Sequence, residues 1–367
     1  MKIAVTGSNG FIGKNLCATL REHDQYEVYE VNRDTSEEDF QAYLSSADFL
    51  FHLAGVNRPQ EISEFAIGNV DLTKRVVETL RKFKRNIPIV LSSSAQAEQD
   101  NPYGKSKLEA EEVIQNYSKS TGASHYIYRL PNVFGKWCKP NYNSFIATFC
   151  NNIMNGSEIS INNPNSPVNL VYIDDVCASW LKILMGRVEP GFKKVPVVFN
   201  TTVGEVADII SSFKASQTTL ITEPVGVGLC RALYATYLSY THPKNFSYKL
   251  VSHTDERGVF CEMLKTHNSG QFSFFTAHPG ITRGGHYHHT KAEKFLVIKG
   301  KAKFGFRNIL SGEKHSITTS GDNPEIVDTV PGWSHDITNI GSDDLVVMLW
   351  ANEIFNPEKP DTKVAIV

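Results

Sequence analysis

The chain has 367 residues, 41% hydrophobic and 21% charged, with 37 basic and 39 acidic side chains and a formal charge of −2. This length suits about two globular domains, the composition excludes a disordered chain, and the charge balance excludes a broad cationic surface for nucleic acid or an anionic membrane. Six cysteines, at 17, 138, 150, 177, 230 and 261, include no C-x-x-C pair, and no signal peptide or long apolar run is present; together these point to reduced thiols in a cytoplasmic protein.

In chain order, Ile3–Thr6 is a short apolar run that reads as a buried strand. It leads into Gly7-x-x-Gly10-x-x-Gly13 and a helical pattern beginning near Phe11. Glycines so placed permit a tight turn, close approach of the backbone to a pyrophosphate, and tight helix–strand packing, while the helix N-terminus offers free N–H groups to the phosphates. The second strand ends Glu30-Val31-Asn32-Arg33. A neutral and then a basic residue stand where an acidic one would hold a free ribose hydroxyl, so NADPH is favoured over NADH. Phe49–Leu53, Ile87–Ser92 and Tyr126–Leu130 are further strands, and Leu72, Val76, Leu80 and Phe83 mark one face of an intervening helix. This alternation predicts an α/β fold with a doubly wound, Rossmann-like parallel sheet.

Ser92–Ser94 closes a strand, and Asn101-Pro102-Tyr103-x3-Lys107 opens a helix, with Asn101 as N-cap and Pro102 at its first position. Tyr103 and Lys107 then lie one turn apart on one face. A lysine ammonium beside a phenol lowers the phenol's pKa, which lets the tyrosine exchange a proton with a carbonyl oxygen while hydride moves at the carbon. A serine at the strand end can hydrogen-bond the same oxygen.

Several segments together are similar to the extended short-chain dehydrogenase/reductase family that acts on nucleotide sugars, over roughly residues 1–240. They are Thr6–Gly13, His52-Leu53-Ala54-Gly55, Asn69-Val70, Ser92–Ser94, Tyr103–Lys107, Arg129-Leu-Pro-Asn132-Val-Phe-Gly135 and Tyr172-Ile-Asp-Asp175. The resemblance implies catalytic roles for Ser94, Tyr103 and Lys107, with Ser93 as the alternative serine. It implies cofactor contacts from Gly7, Asn9, Gly10, Phe11, Ile12, Gly13, Leu53, Ala54, Gly55, Asn69, Tyr103 and Lys107, to which the strand tip adds Asn32 and Arg33. Arg129 and Asn132 are candidates for substrate contact, whereas Asp174-Asp175 reads as a helix cap. Where 4,6-dehydratases of this family carry an Asp-Glu pair, this chain has Ala95-Gln96, which favours reduction over dehydration.

Beyond about residue 245 the rhythm changes. Phe272–Phe275, Phe295–Ile298, Lys301–Phe306 and Leu345–Trp350 are short strands separated by Gly, Asn, Asp and Pro, which predicts an all-β barrel or jelly roll. The join is expected near Thr241–Ser247, dividing the chain into residues 1–243 and 244–367. The run Gly280-x5-His286-x-His288-x4-Glu293-x6-Gly300 is similar to the first motif of the cupin superfamily, and Gly332-Trp-Ser-His335 with Asn339 to the second, although Pro331 and Gly332 are adjacent where that motif separates them. Residues 286 and 288 of one strand share a face, and His286, His288, Glu293 and His335 suit Zn²⁺ or another divalent transition metal. The alternative is that Arg283-Gly-Gly-His286 resembles metal-free cupin epimerases of deoxysugars, in which the histidine is the base.

A reductase followed by a cupin resembles the CapF-type bifunctional enzymes of bacterial capsule synthesis along essentially the whole chain; Asn141–Phe149, Tyr237–Tyr240 and Pro360-Asp361-Thr362 add to the match. That resemblance implies a UDP-4-keto-hexosamine substrate, UDP-2-acetamido-2,6-dideoxy-4-hexulose, on the route to UDP-N-acetyl-L-fucosamine. The cupin would epimerise C3, the reductase domain would reduce the C4 ketone with NADPH, and the enzyme would be a homodimer that uses neither nucleic acid nor membrane. The alternative is a monofunctional 4-keto-sugar-nucleotide reductase whose cupin is a structural or dimerisation module.

Overall fold

The computed structural model describes residues 1–245, 247–289 and 291–367. The chain gathers into two compact units, residues 1–210 with 231–241 and residues 211–230 with 242–367. The expected join near Thr241–Ser247 includes Phe246, which lies outside the described residues. Backbone pairing explains why 211–230 belongs with the second unit: Thr222 N donates to Lys265 O, and Lys265 N to Leu220 O, each at 2.8 Å.

The first unit carries strands β1 (Lys2–Thr6), β2 (Glu27–Val31), β3 (Phe49–His52), β4 (Ile89–Ser94), β5 (His125–Leu130), β6 (Asn132–Phe134), β7 (Pro167–Tyr172), β8 (Gly191–Lys193) and β9 (Phe199–Thr202). Six of them form a parallel sheet in the order β2-β1-β3-β4-β5-β8. Helices cover its faces, so its central strands are largely buried: all four residues of β3 are. The helix Leu72–Lys82 buries Thr73, Val76, Val77 and Leu80, whereas Phe83 falls at its C-cap and is exposed. The buried stripe is thus rotated from the expected one, because the last residue of the pattern lies past the final turn.

The strand order reverses between β1 and β3, and the crevice at their carboxyl ends is where such sheets bind ligands. Two glycines shape it. Gly7 has φ +71°, and a Cβ there would stand 2.7 Å from Ala54 N. Gly13 lies in the first turn of the helix Phe11–Arg21, where a Cβ would meet Gly7 O at 2.2 Å and Ser8 Cα at 2.8 Å. Thr6 and His52 lock the two strand ends together: Thr6 Oγ1 lies 2.7 Å from His52 Nδ1, and His52 Nε2 lies 2.9 Å from Thr73 Oγ1.

The second unit is an antiparallel cupin-type barrel. Its strands are β10 (Ser252–Asp255), β11 (Gly258–Thr266), β12 (Gly270–Ala277), β13 (Thr282–Tyr287), β14 (Glu293–Lys299), β15 (Lys301–Asn308), β16 (Lys314–Ser320), β17 (Ile326–Asp328), β18 (Trp333–Asn339), β19 (Leu345–Ala351) and β20 (Lys363–Val364). They form two sheets, β10-β11-β12-β19-β14-β17 and β16-β15-β18-β13-β20. Phe275, Phe295, Phe304, Phe306, Ile337, Leu345 and Val347 pack into a shared core, as alternation along each strand requires.

Because the atoms facing Gly13 are backbone, they cannot move aside as a side-chain tip could. Gly13→Ala is expected to destabilise the first unit by about 1–3 kcal/mol, read as a lower urea midpoint, with loss of dinucleotide binding.

Candidate active site and metal centre

A cavity of about 950 Å³ opens at the carboxyl ends of β1, β3 and β4, at the upper end of the usual size for ligand clefts. Gly7, Asn9, Gly10, Phe11, Ile12, Gly13, Leu53, Gly55, Asn69, Ser94, Tyr103, Lys107 and Asn132 line it; Asn32, Arg33, Ala54 and Arg129 do not. Gly10 N donates to Gly7 O at 2.9 Å, closing the turn ahead of the helix. Asn69 works through the backbone beside the cavity: Val56 N donates to its Oδ1 at 2.8 Å, and its Nδ2 donates to Val56 O and Ser106 Oγ at 3.0 and 2.9 Å. Arg33 is exposed just beyond the end of β2.

The helix Pro102–Thr121 begins as its sequence requires, with Asn101 Oδ1 accepting from Gly104 N at 2.8 Å. Tyr103 and Lys107 both face the cavity. Burial raises the Tyr103 pKa, with a Ser94 hydrogen bond opposing. The Lys107 ammonium donates to Ser92 O at 2.6 Å. Burial also pushes Lys107 down to about 8, with Glu111 one turn further on pulling it upward. His52 is pushed down to about 3 by burial and then by Lys107, so it is a neutral strut. The two candidate serines diverge: Ser93 donates to buried Glu111, whereas Ser94 Oγ accepts from Gln96 N at 3.1 Å and serves the tyrosine.

Arg129 has partners of its own. Its Nε donates to Glu111 Oε1 and Oε2 at 3.0 and 3.2 Å, its Nη2 to Oε2 at 2.7 Å, and its Nη1 pairs with Glu98. The guanidinium also stacks 4.8 Å from the Phe192 ring centroid. A fully buried carboxylate has to be neutralised by a nearby cation, and this one commits Arg129 away from the cavity. Sequence reasoning missed cavity residues in 137–145, among them Trp137, Lys139 and Tyr142. Trp137 adopts φ +68°, a conformation unusual for a bulky residue, and Lys139 Nζ lies 5.7 Å from the Tyr142 ring centroid. The available signal was Trp137-Cys138-Lys139-Pro140-Asn141-Tyr142 itself, aromatic and basic residues interleaved just past a strand. Asp174, in the first turn of the helix Ile173–Leu184, pairs with Lys136 at 2.6 Å.

In the barrel, His286, His288, Glu293 and His335 converge, with one ligand atom from each lying within 4.8 Å of every other. His286 of β13 stands directly across from His335 of β18, after a bulge at Gly284. His288 is buried just past the end of β13, His289 is exposed, and Glu293 enters from the opposite sheet as the first residue of β14. His288 Nε2 and His335 Nε2 lie 3.2 and 3.3 Å from Glu293 Oε2. Metal–ligand bonds of about 2.1 Å in tetrahedral geometry place ligand atoms about 3.4 Å apart, so these spacings suit a cation.

The local electrostatics fit a cation as well. Burial would raise Glu293, but His288, His335 and Lys291 together hold it well below the usual carboxylate range. Burial and then His335 push His286 down to about 4, leaving its imidazole neutral and able to donate a lone pair. His335 is buried, and neither ring nitrogen makes a well-aligned hydrogen bond. A buried polar group is costly in that state unless something else binds it. His288 Nδ1 is satisfied by the Asp361 carbonyl, the outer support that metal-binding histidines usually have.

Comparison with known proteins joins the two sites. Residues 3–192 match the NAD dependent epimerase/dehydratase family, and residues 253–363 match the polysaccharide biosynthesis C-terminal domain. The chain is similar to the UDP-2-acetamido-2,6-beta-L-arabino-hexul-4-ose reductase of Pseudomonas aeruginosa, 54% identical over 363 residues that cover 99% of this chain and 98% of the relative. It is also similar to the capsular polysaccharide assembling protein CapF of Staphylococcus aureus, whose crystal structure matches with a TM-score of 0.94 at 45% identity over 100% of both chains. This chain belongs to the CapF-type family.

Within that family it is an enzyme of the nucleotide-sugar reductase/epimerase class. A UDP-glucuronic acid 4-epimerase from Bacillus cereus, with NAD bound, matches 65% of this chain and 98% of its own with a TM-score of 0.56 at 18% identity, a likeness of fold alone. Among the described residues, no helix is long and apolar enough to cross a membrane, and all six cysteines are free.

Since Glu111 has no exposed surface, removing its cation strands a charge. Arg129→Ala is expected to cost about 3–5 kcal/mol in denaturant unfolding. Residual folded enzyme should lose turnover through displacement of Ser93 and Ser94, with its KM for the sugar nucleotide little changed.

Proposed function

We propose that this enzyme performs two successive reactions on one UDP-2-acetamido-2,6-dideoxy-4-hexulose. The barrel, assigned residues 244–367, inverts C3, and the dinucleotide-binding domain, residues 1–243, reduces the C4 ketone, on the route to UDP-N-acetyl-L-fucosamine for capsular polysaccharide. The observation that carries this reading is a Ser94/Tyr103/Lys107 set in a nucleotide-sized cavity, accompanied by a four-ligand cage, in a chain similar end to end to a hexul-4-ose reductase. The proposed assembly is a homodimer, by analogy with edge pairing in other cupins.

Chemistry sets the order. A proton on C3 is acidic only while C4 is a carbonyl, since the carbanion must delocalise as an enolate; reduction first would close that route. NADPH, when bound, supplies the hydride that C4 accepts. Ser94 is proposed to hold the C4 oxygen, Tyr103 to protonate it, and Lys107 to provide a cationic neighbour that orients the relay. Arg33 is proposed to favour the 2′-phosphate. In the barrel, His286, His288, Glu293 and His335 would hold Zn²⁺ or another divalent transition metal, which as a Lewis acid can stabilise developing negative charge.

The Pseudomonas relative is named for reduction alone, and that favours a second reading in which the barrel only supports the reductase. Two full-length variants separate the readings when incubated with the 4-keto sugar nucleotide in D₂O. Tyr103→Phe should lower NADPH oxidation by about 10²–10⁴-fold yet still exchange deuterium into C3. His335→Ala should lose the exchange. A Tyr103→Phe protein that leaves C3 unlabelled would falsify the two-step account and leave the reductase reading standing.

Lys107 makes a pH prediction. Its ammonium is present below about 8 and lost above, so turnover in the reductive direction should decline as pH rises through that value. The unfolded chain keeps this lysine protonated to about pH 10.4. It therefore binds more protons between these values, and this group's contribution to stability rises with pH across that window. In a profile of NADPH oxidation, Glu111→Gln should move the basic limb to lower pH, because Glu111 is the group that raises Lys107.

A further inference from the structure

The four-residue cage leaves Pro360-Asp361-Thr362, near the C-terminus, without a role. From Asp361 onward the chain runs back across the edge of the second barrel sheet. Val364 and Lys363 of β20 pair with His286 and Tyr287 of β13. Ala365 N donates to Gly285 O at 2.9 Å, Ser334 Oγ donates to Ala365 O, and Arg307 Nε donates to Ile366 O at 2.7 Å. This strap is therefore held by β13, β15 and β18, two of which carry cage histidines.

Asp361 makes two kinds of contact there. Its main-chain carbonyl accepts a hydrogen bond from His288 Nδ1. Its carboxylate accepts from His289 N at 3.0 and 3.1 Å and from Lys291 N at 2.9 Å. One residue thus holds the imidazole of His288 and the main-chain N–H groups of His289 and Lys291.

The consequence for His288 follows from donor and acceptor rules. A carbonyl can only accept, so Nδ1 carries a proton, and in the neutral imidazole that a metal requires the lone pair is then on Nε2. Nε2 is the atom that faces Glu293 Oε2 at 3.2 Å. The carboxylate meanwhile satisfies the N–H groups of His289 and Lys291, which lie between His288 and Glu293. Preorganising a ligand and the backbone beside it lowers the ordering cost of binding.

We propose that Asp361 is a positioning residue for the metal centre, and that the C-terminal strap is a latch setting how tightly the cation is held. The proposal rests on reading His286, His288, Glu293 and His335 as a cation site. Atoms remote in sequence from all four ligands would then determine the affinity of the site.

The test uses full-length protein stripped with chelator and titrated with Zn²⁺ against a chromophoric competitor, with Co²⁺ as a spectroscopic probe. The parent should bind one equivalent with intense d–d bands. In Asp361→Ala, the Zn²⁺ dissociation constant should rise roughly 10–100-fold and the Co²⁺ bands should shift, while the metal-free proteins unfold at the same temperature. Both variants keep the main-chain carbonyl; Asp361→Asn, which also keeps one side-chain acceptor, should recover part of the affinity. A parent that binds no metal removes the cage reading and the latch with it. A parent that binds metal, with Asp361→Ala holding it as tightly and with the same spectrum, overturns the latch alone. So does an affinity loss with unchanged Co²⁺ bands and an equal loss of metal-free stability, which would mark a purely structural role. If Asp361→Ala does not fold, Asp361→Asn decides, and parental affinity with the parental spectrum overturns the proposal.

Discussion

A carboxylate taken out of water must be matched where it stands, and each unit of this enzyme is arranged around one. In the first unit it is Glu111, which has no exposed surface and gathers Ser93 from β4 and Arg129 from β5 while raising the pKa of Lys107 one helical turn away. In the second it is Glu293, which gathers His288, His335 and Lys291. In both, the charge draws side chains from separate strands to a common point. The direction differs. Glu111 holds Arg129 off the cavity and engages the Ser93 hydroxyl, leaving Ser94 to the tyrosine, whereas Glu293 pulls its partners toward the point where a cation is proposed to sit.

This contrast accounts for what could be read in the sequence. Tyr103 and Lys107 are four residues apart on a helix, and His286 and His288 two apart at a strand end, so the local periodicities place each pair on one face. Gly13 was legible for a like reason, since the atoms that exclude a Cβ belong to the Gly7–Ser8 turn close by in the chain; Gly7, which packs against Ala54, was legible only through the glycine spacing itself. Arg129 was not. Its motif sits beside the cleft, but its partner lies on another element 18 residues away, and only the fold shows that the cation is already engaged. The partner of Lys107 was hidden likewise: its place on the Tyr103 face was legible, but the Ser92 carbonyl that takes the ammonium was not.

The same limit applies to the barrel. Its strands and four candidate ligands follow from alternation and spacing, yet the sheet from which each ligand comes does not, and Glu293 proves to face the histidines from across the barrel. Asp361, more than 70 residues from the histidine it supports, has no local pattern to mark it. The pairing of Thr222 with Lys265, which places residues 211–230 in the second unit, is invisible for the same reason. Contacts of high sequence separation come from topology, which a periodicity argument does not reach.

One further constraint bears on the proposed pairing of reactions in a single chain. Imidazoles that ligate a metal must be neutral, and His286 is neutral above about 4. The ammonium of Lys107 requires a pH below about 8. The two conditions overlap across the weakly acidic and neutral range, where a cage ready for a cation and a charged lysine coexist. Burial sets both limits by the same mechanism, disfavouring the protonated imidazole in one unit and the protonated amine in the other. If the C3 and C4 steps are to use one ketone before it is lost, both sites must be in their working protonation states together. The burial of His286 and of Lys107 permits that.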